Sequence, residues 1–369
     1  MKTVCKVDYC TGCRACVQKC VKHAILINDS TDALNAVINE DLCINCGVCT
    51  NVCPVNNNVV NFIKPYEWYQ GWSIDESIRN NSSSGGFATS IAKYFIETGG
   101  FVCSCIFDNG DFVYKVFDNK NDLSRIAGSK YVKSNTSNTY IEIQKLLKNN
   151  KKVLFIGLPC HVAGLLNFLD NKYSNNLYTI DLICHGTPSK NLLIKYLNDI
   201  NLDLKSSKDL KFRMKDKFRI FFNDNPVQNT RLLDSYMFTF LRGMNYTYNC
   251  YMCPYAGEDR ISDITLGDSW GSDFDENEKK LGISLALCQT KKGKQLLEES
   301  NLNLFSVNKD IAIKNNKQLV SPMEITNKRN IFFKHIEKNA SYSNAAYKAD
   351  KIVGIRQLIK YILIKFSIL

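Results

Sequence analysis

"CTGCRACVQKC", residues 10–20, and "CINCGVCTNVCP", residues 43–54, are two copies of one pattern, C-x2-C-x2-C-x3-C. Three cysteines on one tight loop can cap three irons of a cubane, while the fourth points the other way and reaches a partner cluster. The spacing therefore predicts one [4Fe-4S] cluster on Cys10, Cys13, Cys16 and Cys53, and a second on Cys43, Cys46, Cys49 and Cys20. Gly12 and Gly47 allow the backbone to wrap closely and aim N–H groups at sulfide. Zinc modules usually pair one C-x2-C with another and do not use eight cysteines in two runs of four. Between the copies, "AILINDSTDALNAVIN" (24–39) reads as two short strands around a polar turn. Residues 1–60 are thus expected to form an α+β, ferredoxin-like 2[4Fe-4S] domain. One departure is Val21, which stands where the second copy has Pro54.

Sixteen cysteines in 369 residues need a reason. The chain opens "MKTVCKVDYC", which has no apolar signal core, and no apolar run reaches membrane-spanning length. A cytoplasmic protein is expected, and in a reducing compartment many cysteines argue for metal ligation rather than a disulfide framework. With 45% apolar and 22% charged residues, the chain is globular and long enough for two or three domains. The formal charge of +11 counts every cysteine as neutral. Three clusters at about −2 each, thiolates included, would bring the protein to about +5. The basic residues are scattered, with no zinc-finger, RNA-motif or helix-turn-helix signature, so nucleic acid is not an expected partner. What remains is a solvated lysine-rich surface, or a docking face for an acidic electron carrier or an anionic membrane.

After a polar linker, 61–70, strand and helix patterns alternate. "GGFVCSCIF" (99–107), "KKVLFIG" (151–157) and "LYTIDLIC" (177–184) read as strands. "YIEIQKLLKN" (140–149), "HVAGLLNFLD" (161–170) and "SKNLLIKYLNDI" (189–200) read as helices, the last starting at Ser189. Such alternation predicts an α/β domain with a mostly parallel sheet, whose ligands gather beyond the carboxyl ends of the strands. Cys160 and Cys184 lie at two such ends. Together with Cys250 and Cys253 of "NCYMCPYAGEDR" (249–260) they supply four thiolates, enough for a third cluster. A lone strand-end cysteine is often a small buried apolar residue, and C-x2-C also binds zinc with two histidines. His161 and His185 each follow one of these cysteines, but adjacent residues rarely face each other as a nucleophile pair must. Cys5, Cys103, Cys105 and Cys288 are expected to be structural.

No G-x-G-x-x-G occurs, so a Rossmann dinucleotide site has no sequence support. The best anion cradle is "SSSGGFATSIAKYFIETGG" (82–100), in which Ser83, Ser84, Gly85 and Gly86 precede a helical run. The same residues also suit an ordinary N-cap and turn. "GSKYVKS" (128–134) adds Lys130 and Tyr131, and "DITLGDSWG" (263–271) adds Asp268 and Trp270. Lys130, His185 and Lys215 of "FRMKDK" (212–217) are candidate proton donors or anion contacts.

"SSSGGFAT", "AGSKYVKS", "VLFIGLPCHVAGL", "DLICHGTPS" and "CYMCPYAGEDRISDITLGDSWG", in this order, resemble the coenzyme F420 hydrogenase/dehydrogenase beta-subunit family. The resemblance implies an α/β flavoprotein domain over 71–305 with bound FAD and one [4Fe-4S] cluster on Cys160, Cys184, Cys250 and Cys253. It also implies that Ser83, Ser84, Gly85, Gly86, Lys130, Tyr131 and His185 line the flavin or substrate cleft. The function it implies is an iron–sulfur flavin-dependent oxidoreductase. Single electrons pass through [4Fe-4S] clusters to FAD for two-electron chemistry on an organic substrate. Some bacterial members are similar to proteins associated with polysaccharide assembly, and coenzyme F420 itself is not assigned as substrate. The alternative is a non-catalytic electron-transfer subunit serving a partner enzyme. Expected partners are an electron-donor or acceptor protein such as a ferredoxin, the organic substrate, and a second copy of the chain.

Residues 306–369 form a C-terminal region ending "KIVGIRQLIKYILIKFSIL". Arg356 and Lys360 share a helical face there, with Ile352, Ile355, Ile359, Ile362 and Phe366 largely away from it. This basic amphipathic helix is a candidate for weak membrane-surface contact.

Overall fold

The computed structural model describes residues 2–57, 60–173, 175–227, 234–351, 355 and 359. In the N-terminal module, β1 (Ile25–Asp29) and β2 (Leu34–Ile38) form the expected antiparallel hairpin, Ile25 opposite Ile38 and Asp29 opposite Leu34. Each cysteine run turns into one short helix, Ala15–Lys19 or Val48–Val52. Both helices are entered through a left-handed residue at the same repeat position, Arg14 (φ 58°) and Gly47 (φ 74°). Two residues earlier the backbone is left-handed again, at Gly12 and at Asn45. Glycine takes this conformation freely and asparagine tolerates it, whereas Arg14 carries the steric cost of a Cβ. The repeat is therefore one of backbone geometry as well as of cysteine spacing.

Five strands that follow, with intervening helices, build most of the main sheet: β3 (Glu67–Ser73), β4 (Phe101–Asp108), β5 (Asp111–Phe117), β6 (Val153–Gly157) and β7 (Leu177–Leu182). A separate three-stranded antiparallel sheet holds β8 (Leu210–Met214), β9 (Lys217–Phe222) and β10 (Asn225–Pro226). The chain then returns to the main sheet with β11 (Ile264–Asp268), β12 (Ser284–Cys288) and β13 (Leu302–Ser306), in the order β13-β3-β12-β11-β7-β6-β4-β5.

The expectation of a mostly parallel sheet is corrected here. Only β4–β6, β6–β7 and β7–β11 pair in parallel, and the other four pairings are antiparallel. Helical crossovers keep the central strands parallel, as in any βαβ unit. At one edge β4 turns straight into β5 through Asn109 and Gly110, both at positive φ, and this tight turn reverses the chain. The fold is a ferredoxin-like module beside a large mixed α/β sheet.

The predicted helices form at Thr139–Lys148, Pro159–Phe168 and Lys190–Asn198. Ser189 caps the last, its hydroxyl accepting from Leu192 N at 3.1 Å, and Leu192, Leu193, Tyr196 and Leu197 bury one face. The helices Thr139–Lys148 and Pro159–Phe168 share one apolar core with the N-terminal module, joining Tyr140, Phe155, Val162 and Phe168 to Cys10, Cys13, Cys16 and Ile25. All sixteen cysteines are free. No helix among the described residues is long and apolar enough to cross a membrane. Arg356, Lys360, Ile352, Ile362 and Phe366 of the amphipathic tail lie outside the described residues, whereas Ile355 and Ile359 are exposed.

One buried ion pair ties the segment after Cys253 to the sheet. The Arg260 guanidinium donates to Asp181 Oδ1 at 2.9 Å, to Leu182 O and to Tyr255 O, and Ser262 Oγ donates to Asp181 Oδ2. Both charged side chains are essentially inaccessible. Removing one partner of such a pair strands the other charge, at about 3–5 kcal/mol. Asp181→Ala is expected to lower stability by about that amount, read as a denaturation midpoint under anaerobic conditions. A midpoint equal to wild type would sink this account.

Candidate metal and cofactor site

The parallel part of the sheet sets the position of two cysteines. β6 ends at Gly157, and Pro159-Cys160 starts the next helix, with proline at its first position, where no N–H is needed. β7 ends at Leu182, and Ile183-Cys184-His185 continues from it. A 3-10 turn over Tyr248–Met252 carries Cys250, and Cys253 follows it directly. Cys160, Cys184, Cys250 and Cys253 line one cavity, together with His185, Lys133 and Thr11. Three separate segments thus bring the four predicted cysteines together.

Cys250 is the most heavily supported of the four. Its sulfur accepts from Thr187 N at 3.4 Å and lies 3.5 Å from Thr247 Oγ1 and 3.8 Å from Lys133 Nζ. Burial works to raise its pKa, but Lys133 and the Thr247 and Thr187 groups bring it below the ordinary thiol value. Burial pushes Cys184 up to about 12 and raises Cys160 and Cys253 as well. Burial also opposes the Lys133 ammonium, yet the sulfurs of Cys250, Cys160, Cys184 and Cys10 lift it above the ordinary lysine value. Among the described residues no three Cys, His, Asp or Glu side chains converge on a single metal ion. A cubane asks for a different geometry, with one thiolate on each iron and the sulfurs standing apart at its corners.

In the N-terminal module Cys10, Cys13, Cys16 and Cys53 are buried, Cys20, Cys43 and Cys49 are half-buried, and Cys46 is exposed. The charges that Cys16 registers are those of Cys13, Cys10, Cys53 and Cys49. Cys5, expected to be structural only, faces the sulfurs of Cys10 and Cys53 and is a fifth thiol beside that set. Cys13 itself lies against the helix of Cys160. A Cβ placed on Gly164 would stand 2.8 Å from Cys13 Cβ and 2.9 Å from its sulfur, so this close approach requires glycine.

The second constellation lies on the other side of His185, whose imidazole is held below its ordinary pKa by burial and also registers Asp268 and Arg213. Arg213 of β8 pairs with Asp268 at the end of β11 through two bonds of 2.7 and 3.0 Å. The guanidinium lies over the rings of Phe218 and Trp270. Tyr131 stacks on Phe240 with ring centres 4.3 Å apart and on Phe218 at 6.3 Å. Lys215, in the β8–β9 turn, donates to the carbonyls of Arg79 and Ser84. Burial, with Arg79 and Arg213 nearby, lowers its pKa to about 8. The Ser83–Gly86 turn is pinned from several sides: Ser83 Oγ accepts from Ser129 N, and Ser84 Oγ donates to Ile283 O. Gly85 fits between β3 and β12, and Gly86 (φ 91°) starts the helix Phe87–Glu97 with no side-chain cap.

Burial lowers the pKa of Lys130 to about 8. Its ammonium lies within hydrogen-bond distance of four carbonyls, Arg125, Ile126, Ala127 and Gly128, at the end of a short helix. The lysine of the same motif that reaches the cysteine cavity is Lys133, three residues on. Arg79, Arg213 and Cys5 also escape the sequence reading. "FRMKDK" holds Arg213 near the end of β8 and Lys215 in the turn that follows it.

With this geometry in view, comparison with known proteins is direct. Residues 68–140 match the N-terminal family model of the coenzyme F420 hydrogenase/dehydrogenase beta subunit, and residues 150–310 match the C-terminal one. The chain belongs to this family. Residues 9–57 match a 4Fe-4S dicluster domain, so the N-terminal module is an iron–sulfur module. The chain is 22% identical over 301 residues to an F(420)H(2) dehydrogenase subunit of Methanosarcina mazei, covering 73% of this chain and 80% of that protein. It is 30% identical over 194 residues to coenzyme F420-dependent sulfite reductase of Methanocaldococcus jannaschii. That match covers 51% of this chain and spans only 29% of the sulfite reductase. Among solved structures, a chain of the F420-reducing [NiFe] hydrogenase complex from Methanosarcina barkeri superposes with a TM-score of 0.49 at 18% identity, covering 69% of this chain and 91% of that one.

Because Cys13 rests on Gly164 without room for a methyl group, Gly164→Ala is expected to displace the Cys13 loop and lower the iron bound per chain. Full iron content in the folded variant would refute it.

Proposed function

We propose that the chain is an iron–sulfur flavoprotein in which two N-terminal [4Fe-4S] clusters exchange single electrons with a third, and through it with a bound flavin. The observation that carries this reading is the convergence of Cys160, Cys184, Cys250 and Cys253 on one cavity against the dicluster module. Cys10, Cys13, Cys16 and Cys53 would hold the inner N-terminal cluster, and Cys20, Cys43, Cys46 and Cys49 the outer one.

The residues around Ser84 fit an anionic cofactor. Arg79, Arg213 and Lys215 gather three cations, and the two arginines add to burial in depressing the Lys215 pKa; among the described residues Asp268 and Glu278 are the carboxylates in ion pairs with them. The uncapped N-terminus beyond Gly86 adds free N–H groups on the same side. A pyrophosphate-bearing flavin such as FAD would satisfy this excess. When bound, it supplies the conversion between one-electron and two-electron transfer that clusters alone lack. Ser83, Ser84, Gly85 and Gly86 would shape its cradle, with Lys215 and Arg213 neutralising its charge and Tyr131 offering an aromatic face. His185 stands between the cysteine cavity and the Arg213–Asp268 pair, placed to hold a proton near the reacting end of the cleft. Lys130 serves this cleft by fixing the loop that carries Tyr131.

The two relatives' names support two-electron chemistry with an organic partner, and the word "subunit" in one of them favours a second reading. In that reading the chain passes electrons to a partner enzyme and holds no substrate of its own. Flavin content separates the two.

Protein purified without oxygen should carry about twelve irons, for three [4Fe-4S] clusters, and one flavin per chain. Cys184→Ser should lose about four of those irons and keep the rest. Eight irons in the wild type would remove the third cluster, and flavin-free protein that does not take up FAD would leave the electron-transfer subunit. Lys215 supplies a pH test. Its depressed pKa means that it is charged below about 8 and neutral above. FAD affinity should therefore fall as pH rises through about 8, and Lys215→Met should bind weakly with that step flattened. An unchanged profile in the variant would show that Lys215 does not face the cofactor.

A further inference from the structure

Lys133 is 5% exposed, and its ammonium reaches two partners, the carbonyl of Thr11 at 3.2 Å and the sulfur of Cys250 at 3.8 Å. Among the described residues no carboxylate forms an ion pair with it. A buried ammonium without a carboxylate is costly, by several kcal/mol if nothing compensates it. The backbone gives no reason for a charge here: Lys133 N donates to Pro188 O, as any residue's would. The sulfurs of Cys250, Cys160, Cys184 and Cys10 all lie close enough to feel its charge, and the Asp29 carboxyl feels it too, without forming an ion pair with it.

Its two partners belong to different halves of the molecule. Thr11 lies between Cys10 and Gly12 in the first cysteine run, while Cys250 belongs to the cavity beyond the main sheet. We propose that Lys133 is a charged bridge between the two cysteine sets, a positioning residue that both tethers the Cys10 loop to the cavity and raises the reduction potential of the cluster held by Cys160, Cys184, Cys250 and Cys253.

The physical basis is charge and hydrogen bonding. Reduction adds one negative charge to a site whose thiolates are already negative, so a fixed positive charge favours the reduced form more than the oxidised form. An N–H donated to a ligand sulfur acts in the same direction, and both are recognised determinants of cluster potential. Screening by salt is weak, since the group is buried. The direction of the bias draws an electron inward from the N-terminal module to the cavity.

This inference rests on the third-cluster reading, and one experiment separates the two. Lys133→Gln keeps a polar donor without the charge, and Lys133→Arg keeps the charge. Iron per chain and EPR-monitored redox titration would be measured on anaerobically purified wild type and both variants. With about twelve irons in each, Lys133→Gln is expected to move one cluster's midpoint to lower potential and leave the outer cluster unchanged, while Lys133→Arg stays nearer wild type. Unchanged midpoints in Lys133→Gln at full iron content would overturn the proposal, as would equal shifts in both variants. Eight irons in the wild type would overturn the third cluster itself. If Lys133→Gln sheds iron, Lys133→Arg carries the test: retention of iron and midpoint supports the charge, and loss of both refutes it.

Discussion

The structure depends on a contact that only glycine permits. Cys13 rests on the backbone of Gly164, inside the helix that Cys160 begins. This brings a cysteine-bearing loop and a cysteine-bearing helix within one apolar core instead of leaving them on two bodies joined by a linker. Electron transfer falls off steeply with separation, so close packing of this kind is what an iron–sulfur module needs from its neighbour. Gln18 strengthens the same seam, accepting from Tyr140 N at 2.9 Å and donating to Thr136 Oγ1 at 3.2 Å. Thr136 in turn donates to Cys13 O at 2.8 Å.

From that seam the chemistry-bearing groups are linked by contacts. Cys46 is exposed, Cys10, Cys13, Cys16 and Cys53 are buried, and Lys133 joins the Cys10 loop to the four-cysteine cavity. His185 leads on to Arg213, Asp268 and Lys215. Each group comes from a different kind of local structure: a tight repeat, a helix start, a strand end, a 3-10 turn and a hairpin. The hairpin comes from the separate three-stranded sheet, and the mixed sheet supplies the strand end. Its parallel centre sends the ends of β7 and β11 the same way, which sets Cys184 and Asp268 on one edge.

Much of this was legible in the sequence because cluster chemistry dictates local spacing. C-x2-C-x2-C-x3-C leaves few alternatives, and apolar strands followed at once by cysteine mark the edge where parallel sheets bind ligands. Helix starts were readable for a similar reason, since Ser189 caps its helix through an adjacent N–H. The antiparallel edge was missed although Asn109-Gly110 announces it, because strand β4 reads the same whichever way its neighbour runs. Arg213 and Asp268 are 55 residues apart, and nothing local in either segment states that they pair. In "GSKYVKS" the two lysines look equivalent, and only the tertiary placement sends Lys133 to sulfur and Lys130 to a set of carbonyls.

The burial of the cysteines is uneven, and that difference has a chemical meaning of its own. Leu26, Leu42, Ile44 and Val21 are exposed in the part of the module that also exposes Cys46, whereas the inner sulfurs are shielded. Sulfur oxidation tracks solvent access, moving from thiolate to sulfenic acid and beyond. The outermost sulfurs therefore meet oxygen and peroxide first. The most exposed sulfur of the module is its point of wear.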